Sequence, residues 1–329
     1  MVKVKISEIG GEFALIQRLT ERQRMDDPRV IKGVGDDCAV LVRDEESHWL
    51  LTTDMMVEND HFSLKWFTPQ QIGKKLVECN VSDIVSMGGR PIWGVISMSL
   101  PQSTELEFMD DLYEGIYRAS SKYGLKIVGG DTTHGSRLVL NLTLIGEVKR
   151  EKLRCRDMAE PGDIICVTGK LGGSTGGLRL LLKGISGDID KHVNPVSRKI
   201  EEGEAISKYA KAMIDVSDGL GSEVRHICEE SGTGAVIFKN NIPLSTSALS
   251  AAESLSESAY DYALYGGEDF ELVFTISEED IGPLRMEFKD FTVIGKILEK
   301  EKGLHIEDGE RLFPIESGFD HFKYEHENT

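Results

Sequence analysis

Gly33-Val34-Gly35-Asp36-Asp37 decides how the rest of this 329-residue chain is read. Two glycines free the backbone, and two carboxylates follow with no Lys or Arg beside them until Arg43. An Asp-Asp pair repels itself unless something positive sits on it. Alone, the stretch reads equally well as a solvated turn. Three further stretches shift the balance: Thr52-Thr53-Asp54, Gly129-Gly130-Asp131-Thr132-Thr133 and Asp215-Val216-Ser217-Asp218-Gly219. They raise the expectation that aspartates from distant parts of the chain converge on metal ions. Adjacent side chains on an extended backbone face opposite ways, so Asp36 and Asp37 are not expected to chelate one ion together. Asp37 is the expected ligand, and Asp36 is expected to bind backbone in the turn or to face water.

Composition limits the partners. A net charge of −18 and a pI near 4.9 offer no cationic footprint for nucleic acid or an anionic membrane. A bound phosphate would need its charge met locally, and a divalent metal is the obvious means. The five cysteines form no C-x-x-C pair, which suits buried thiols in a reducing compartment better than a disulfide frame or a zinc site. The N-terminus has no apolar run of signal-peptide length, and the stretch from Ile92 to Leu100 is too short to span a bilayer. The expectation is a soluble, cytoplasmic protein.

The pattern along the chain is α/β, in α+β layers. A helix is expected over Glu12 to Arg24, with Phe13, Ile16 and Leu19 on one face. Cys38 to Val42 and His48 to Thr53 read as a hairpin that sets Asp37 and Asp54 at the same end. Thr68-Pro69 opens a helix running to Met87, where Gly88-Gly89 stop it. Its inward stripe is Ile72, Leu76, Cys79 and Asp83, which puts a carboxylate on an apolar face. Such a carboxylate needs a cation, a hydrogen-bond network or a proton. Trp93 to Ser99 reads as a strand, Thr104 to Glu107 as a capping box, and Leu125 to Val128 as a buried strand running into Gly129-Gly130-Asp131. The alternation over Leu138 to Ile145 adds another strand, giving ββαβαββ. The charged run Lys149 to Arg156 divides an N-terminal domain, 1–150, from a C-terminal α/β domain, 151–329. The glycine-rich run Gly169 to Leu178 lacks the Lys-Ser/Thr of a P-loop and is expected to pack a helix start against a sheet. Ser217-Asp218-Gly219 reads as a helix cap, with Asp215 at the end of the preceding strand. Tyr265 to Phe270 is a second glycine–acid turn.

Oxygen ligands from Asp and Thr suit a hard cation, so Mg²⁺ is favoured over Zn²⁺. There are more aspartates than one Mg²⁺ needs, which suggests several ions and a polyphosphate. No Ser-His-Asp or Cys-His arrangement can be picked out by spacing.

Eight motifs, in order, resemble one family. They are Val34-Gly35-Asp36-Asp37-Cys38-Ala39, Thr53-Asp54, His61-Phe62, Asn80-Val81-Ser82-Asp83-Ile84, Met87-Gly88, Gly129-Gly130-Asp131-Thr132, Asp215-Val216-Ser217-Asp218-Gly219-Leu220 and Gly266-Gly267-Glu268-Asp269. The sequence is similar to the thiamine-monophosphate kinases of the aminoimidazole-ribonucleotide-synthetase-like superfamily. That resemblance implies two α/β domains, a homodimer through the N-terminal domains, and ATP in a cleft. It implies Mg²⁺ on Asp37, Thr52, Thr53, Asp54, Asp83, Asp131, Asp215 and Asp218. It implies ATP contacts from Gly130, Asp131, Arg156 and Ser217, and thiamine monophosphate contacts from His61, Glu268 and Phe319. Asn59 stands where the family has Gly, which Asn tolerates if that backbone is left-handed. Arg154 competes with Arg156 for the nucleotide role. Other ATP-using synthetases of the superfamily, or a non-catalytic Mg²⁺–nucleotide-binding regulator, are the competing readings.

Overall fold

The computed structural model describes residues 6, 11–22, 26–315 and 318, with backbone alone at residue 13. Six strands form the first sheet: β1 (Val30–Lys32), β2 (Ala39–Val42), β3 (Ser47–Val57), β4 (Arg90–Leu100), β5 (Lys126–His134) and β6 (Val139–Lys149). Their spatial order is β1-β2-β3-β6-β4-β5. Seven strands form the second: β7 (Ile164–Thr168), β8 (Ala210–Asp215), β9 (Gly234–Phe238), β10 (Leu272–Ile276), β11 (Phe291–Leu298), β12 (Leu304–Asp308) and β13 (Arg311–Pro314). These run in the order β13-β12-β9-β11-β7-β10-β8. The helices are α1 (Glu12–Thr20), α2 (Pro69–Ser86), α3 (Leu106–Tyr123), α4 (Gly173–Lys183), α5 (Asp190–Val193), α6 (Ile200–Ile206), α7 (Leu220–Ser231), α8 (Thr246–Leu255), α9 (Ala259–Tyr265) and α10 (Ile281–Glu287). The α/β class is as expected, but β1 and the β12–β13 hairpin were not legible. Among the described residues no helix is long and apolar enough to cross a membrane, and all five cysteines are free thiols.

The helix α2 holds the molecule together. Thr68 Oγ1 accepts the Gln71 amide at 3.3 Å while Gln71 Oε1 accepts the Thr68 amide at 2.9 Å, so both ends of a capping box are made. Gly88, at φ +75°, ends the helix in the left-handed conformation. Between these signals α2 is buried on nearly every side, not on one stripe alone: Ile72, Leu76, Val77, Val81, Ile84 and Val85 are fully covered. It packs on β3, β4 and β6, lies across α3, and reaches β8 of the second sheet. One continuous apolar core therefore runs from Val40 and Leu50 to Phe274 and Phe291.

Several expectations change. Ile16 and Leu19 are exposed on α1. Thr104 makes no capping bond; α3 begins at Leu106, with Glu105 at its cap position and no side-chain cap. Of the strand expected at Leu125–Val128 only Leu125 is buried: β5 starts after it, is the sheet's edge, runs through Gly129–Thr133 to His134, and is exposed over most of its length. Alternation and apolar content do not reveal which strand ends up outermost.

Where α2 and α3 cross, two glycines let the backbones touch. A Cβ on Gly73 would lie 2.1 Å from the Leu112 carbonyl oxygen, and one on Gly115 would lie 2.1 Å from that of Gln70. Gly115→Ala is therefore expected to destabilise the fold by at least about 1–3 kcal/mol, the usual cost of overpacking, in a denaturant titration. An unchanged midpoint would mean the helices have room to separate.

Candidate active site

The carboxylates meet at the α2 face that looks towards β8. Antiparallel pairing of Ala39 with Leu51 brings the start of β2 beside the later half of β3, so Asp37 and Asp54 are neighbours as the hairpin reading expected. Asp83 comes from α2 and Asp215 from the end of β8. Polar residues of α2 bind each of these groups. Ser82 Oγ donates to Asp215 Oδ2 at 2.5 Å, Ser86 Oγ donates to Asp37, and Asn80 Oδ1 accepts the Asp54 amide at 3.2 Å. Thr52 Oγ1 donates to Asp83 Oδ2 at 2.5 Å.

Electrostatics confirms that these groups act on one another. Burial, then the neighbouring Asp37, pushes the Asp54 carboxyl up to about 6. Burial, then Asp54, Asp215 and Asp37, raises Asp83 well above the carboxylate range. Asp215 is raised by burial and then by Asp37. Arg156 lies at the rim. Burial alone would lower its affinity for a proton, but its ion pair with Asp37 outweighs that and keeps the guanidinium charged. Arg154 is otherwise engaged, donating to the carbonyls of Ala210, Glu151 and Leu153, so Arg156 is the cation at the cluster. Asp36 binds backbone as expected: its oxygens accept the amides of Asp37 at 3.1 Å and Arg156 at 3.0 Å. Its side chain is wholly buried and does not face water.

A tighter group of metal-capable atoms among the described residues lies alongside. Asp36, Cys155 and Asp157 have ligand atoms within 4.8 Å of one another. Those charges are already met, since Lys32 Nζ lies 3.0 Å from Asp157 and Asp36 holds two amides. The aspartates around α2 are set more widely than that, a spacing that suits several ions better than one.

Two expected ligands do not join the cluster. Thr52 and Asp54 point inward, but Thr53, one step along β3, points outward and bonds Thr143 at 2.9 Å. Asp131 sits opposite Ser97, exposed on edge strand β5, and is not among the charges acting on Asp54, Asp83 or Asp215. Gly130 is packed against the neighbouring strand, where a Cβ would meet the Ile96 carbonyl at 1.9 Å. The row Thr53–Thr143–Val95–Gly129 crosses four strands. It sets Thr53 and Asp131 about 14 Å apart or more along one exposed face.

Sequence reasoning missed Glu223. The Ser217-Asp218-Gly219 cap does not form; Gly219 occupies the cap position of α7, with no side-chain bond. Instead the buried Glu223 carboxylate accepts the amides of Ser217 at 3.2 Å and Asp218 at 2.8 Å. Burial, then Asp218 and Asp215, raises it well above its usual range, so Asp218 reaches the cluster through Glu223. A Glu four residues after the Gly was the available signal. The glycine-rich run is likewise held by a carboxylate, Asp269 accepting the Gly172 amide at 2.5 Å and the Ser174 amide at 3.3 Å. Contrary to expectation it packs α4 not on a sheet but on α8, where Gly176 lies against Ala248 and Ala251. His61 and Glu268 come together at Lys75, nearer the start of α2, and Asn59 is left-handed at φ +65°. Phe319 lies outside the described residues.

Removing one buried charge has a calculable effect on the metal-free protein. At about 6 the Asp54 carboxyl lies above the ordinary aspartate value of 3.8, so between these the folded chain keeps a proton that the unfolded chain has lost. Stability from this group is complete below about pH 4 and lost as pH rises through 6. In chelator, Asp54→Asn is expected to raise the unfolding free energy by on the order of 2–3 kcal/mol at pH 8 and by almost nothing at pH 4. A gain independent of pH would contradict the repulsion.

Comparison with known proteins shows the family. The family described as AIR synthase related protein, N-terminal domain, matches residues 35–148. The thiamine-monophosphate kinase of Haemophilus influenzae is 38% identical over 328 residues, 95% of this chain and 98% of that one. That of Buchnera aphidicola subsp. Acyrthosiphon pisum is 36% identical over 324 residues, 94% of this chain and 98% of that one. A solved structure of AaThiL complexed with AMPPCP and TMP superposes with a TM-score of 0.85 at 34% identity, covering 98% of this chain and all of that one. The chain belongs to the thiamine-monophosphate kinase family.

Proposed function

We propose that the chain transfers the terminal phosphoryl group of ATP to thiamine monophosphate, giving ADP and thiamine diphosphate. The observation that carries this reading is the cluster of mutually repelling carboxylates Asp37, Asp54, Asp83 and Asp215, with Arg156 as the cation that meets it among the described residues. AaThiL, with the same fold, was solved with AMPPCP and TMP, which supports the two substrates named here.

The donor set is oxygen from Asp37, Thr52, Asp54, Asp83, Asp215 and Asp218, which fits Mg²⁺. Bound there, Mg²⁺ supplies positive charge that offsets the phosphates' mutual repulsion, about 4 kcal/mol per unit pair at 4 Å and an effective dielectric near 20. The acceptor is a phosphate monoester with a second pKa of about 6. It is mostly dianionic at neutral pH, so the chain needs no base to activate it. The residues here do positioning work. Arg156 exchanges Asp37 for a nucleotide phosphate oxygen, and Ser217 and Gly130 line the nucleotide. His61 and Glu268, with Phe319, hold the acceptor end in line. The halves 1–150 and 151–329 act as the two domains, and free thiols support a cytoplasmic setting.

The assay that tests this follows ADP release with and without thiamine monophosphate at saturating Mg²⁺. Acceptor-dependent turnover is expected, with Asp83→Asn cutting it by about a hundredfold or more. ATP hydrolysis indifferent to the acceptor would reject the assignment.

A second copy of the chain completes the picture. The outer face of the first sheet exposes Leu51, Met55, Trp93, Val95 and Val128, an apolar surface suited to a homodimer. Thr53 and Asp131 lie on that face too far apart to share an ion, but a facing copy can bring one chain's Asp131 to the other's Thr53. Asp131→Asn is expected to lose about a hundredfold, as Asp83→Asn does. Co-expressing the two variants should then restore up to about a quarter of wild-type turnover. Half the dimers are mixed, and one of their two sites is intact. A mixture no better than either variant would place Asp131 in its own chain's site.

A further inference from the structure

The second polar cluster on α2 is built around a lysine that the reaction as described does not use. Lys75 is fully buried, in the middle of an otherwise well-covered helix. A buried ammonium is costly unless every proton finds a partner. Its Nζ donates to the His61 carbonyl at 2.6 Å and lies 2.5 Å from Glu268 Oε1. It also sits 5.4 Å from the centre of the Phe67 ring. The other Glu268 oxygen, Oε2, is 3.5 Å from His192 Nδ1, which is 3.2 Å from Ser174 Oγ. The His192 ring meets Phe67 edge-on at 5.4 Å.

Glu268 is in turn held in an uncommon conformation. Its φ is +65° and that of Phe270 is +48°, both in the left-handed region that non-glycine residues avoid. The preceding Gly267 is pressed against the Ser217 carbonyl, which a Cβ would meet at 2.0 Å, and the Glu268 amide donates to that same carbonyl at 2.8 Å. The loop bearing the acceptor carboxylate is thus braced against the nucleotide loop behind it and Lys75 in front. The Glu268 side chain keeps 28% of its exposure, so it still opens to a ligand. Burial alone would raise its pKa, but Lys75 above all holds it below the usual range. Burial pushes His192 down to about 4, so it is neutral at pH 7 and the lysine is the charge that fixes the site.

We propose that Lys75 is a positioning residue of the acceptor site. Its ammonium ties the His61 turn from one half of the chain to the Glu268 carboxylate from the other, and so sets recognition of the acceptor's cationic heterocycle. This rests on the assignment of His61 and Glu268 to the acceptor. Lys75 itself bonds none of the clustered aspartates, so its loss is felt first at the acceptor and not at the nucleotide.

Steady-state kinetics of Lys75→Met tests this. The KM for thiamine monophosphate is expected to rise roughly tenfold or more, with the KM for ATP within about twofold of wild type. In a Glu268→Gln background the same substitution should add less than about threefold to the acceptor KM, because the lysine acts through that carboxylate. If Lys75→Met does not fold, Lys75→Gln reads the same ratio, since it can keep the bond to the His61 carbonyl without the charge. Equal rises in both KM values, or additivity with Glu268→Gln, would overturn the positioning role. A wild-type enzyme that ignores thiamine monophosphate would overturn the function itself, so the two failures are told apart by the first measurement.

Discussion

Carboxylates crowded beside a buried helix repel one another, and that repulsion governs the design of this molecule. Asp83 and Asp215 are raised far above their normal range, Asp54 less so, and in each case Asp37 adds to the effect of burial. The fold does not relax the strain by turning the groups to water. It fixes them with the hydroxyls of Thr52, Ser82 and Ser86 and leaves one guanidinium at the edge. Negative charge is thus stored in a rigid frame, and a cationic ligand that arrives there relieves a cost already incurred on folding.

The helix α2 makes this possible because it is covered on all sides. Its apolar residues join the two sheets, and its polar residues act at two levels along its axis. Ser82, Asp83 and Ser86 serve the phosphate end, while Lys75 serves the acceptor end. Two turns of helix separate Lys75 from Ser82, about 10 Å at 1.5 Å per residue. One rigid rod therefore sets the spacing between the two ends of the site.

Much of this was legible because it was local. Thr68-Pro69 and Gly88-Gly89 bounded α2, the Ile72–Asp83 spacing placed a carboxylate inward, and the hairpin brought Asp37 to Asp54. Period-two alternation could also have removed Thr53 from the cluster, since Thr52 and Asp54 take the inner face. The remainder depended on tertiary packing. Nothing near Lys75 in the sequence names Glu268, nearly two hundred residues away, as its partner. Glu223 gave only a faint signal because its work is to bind loop amides, which any cap could have done. The exposure of β5 follows from strand order, which apolar content does not encode.

The apolar core shared by the two sheets has a consequence for motion. Val40 and Leu50 on one sheet belong to the same packed cluster as Phe274 and Phe291 on the other. Swinging the halves apart would break that cluster open and expose apolar surface at about 25 cal/mol per Å². A wide clamshell opening is therefore disfavoured. Folding is coupled less tightly in the second half, which also owns a core of its own around Ile165, Val167, Ile214 and Ile237.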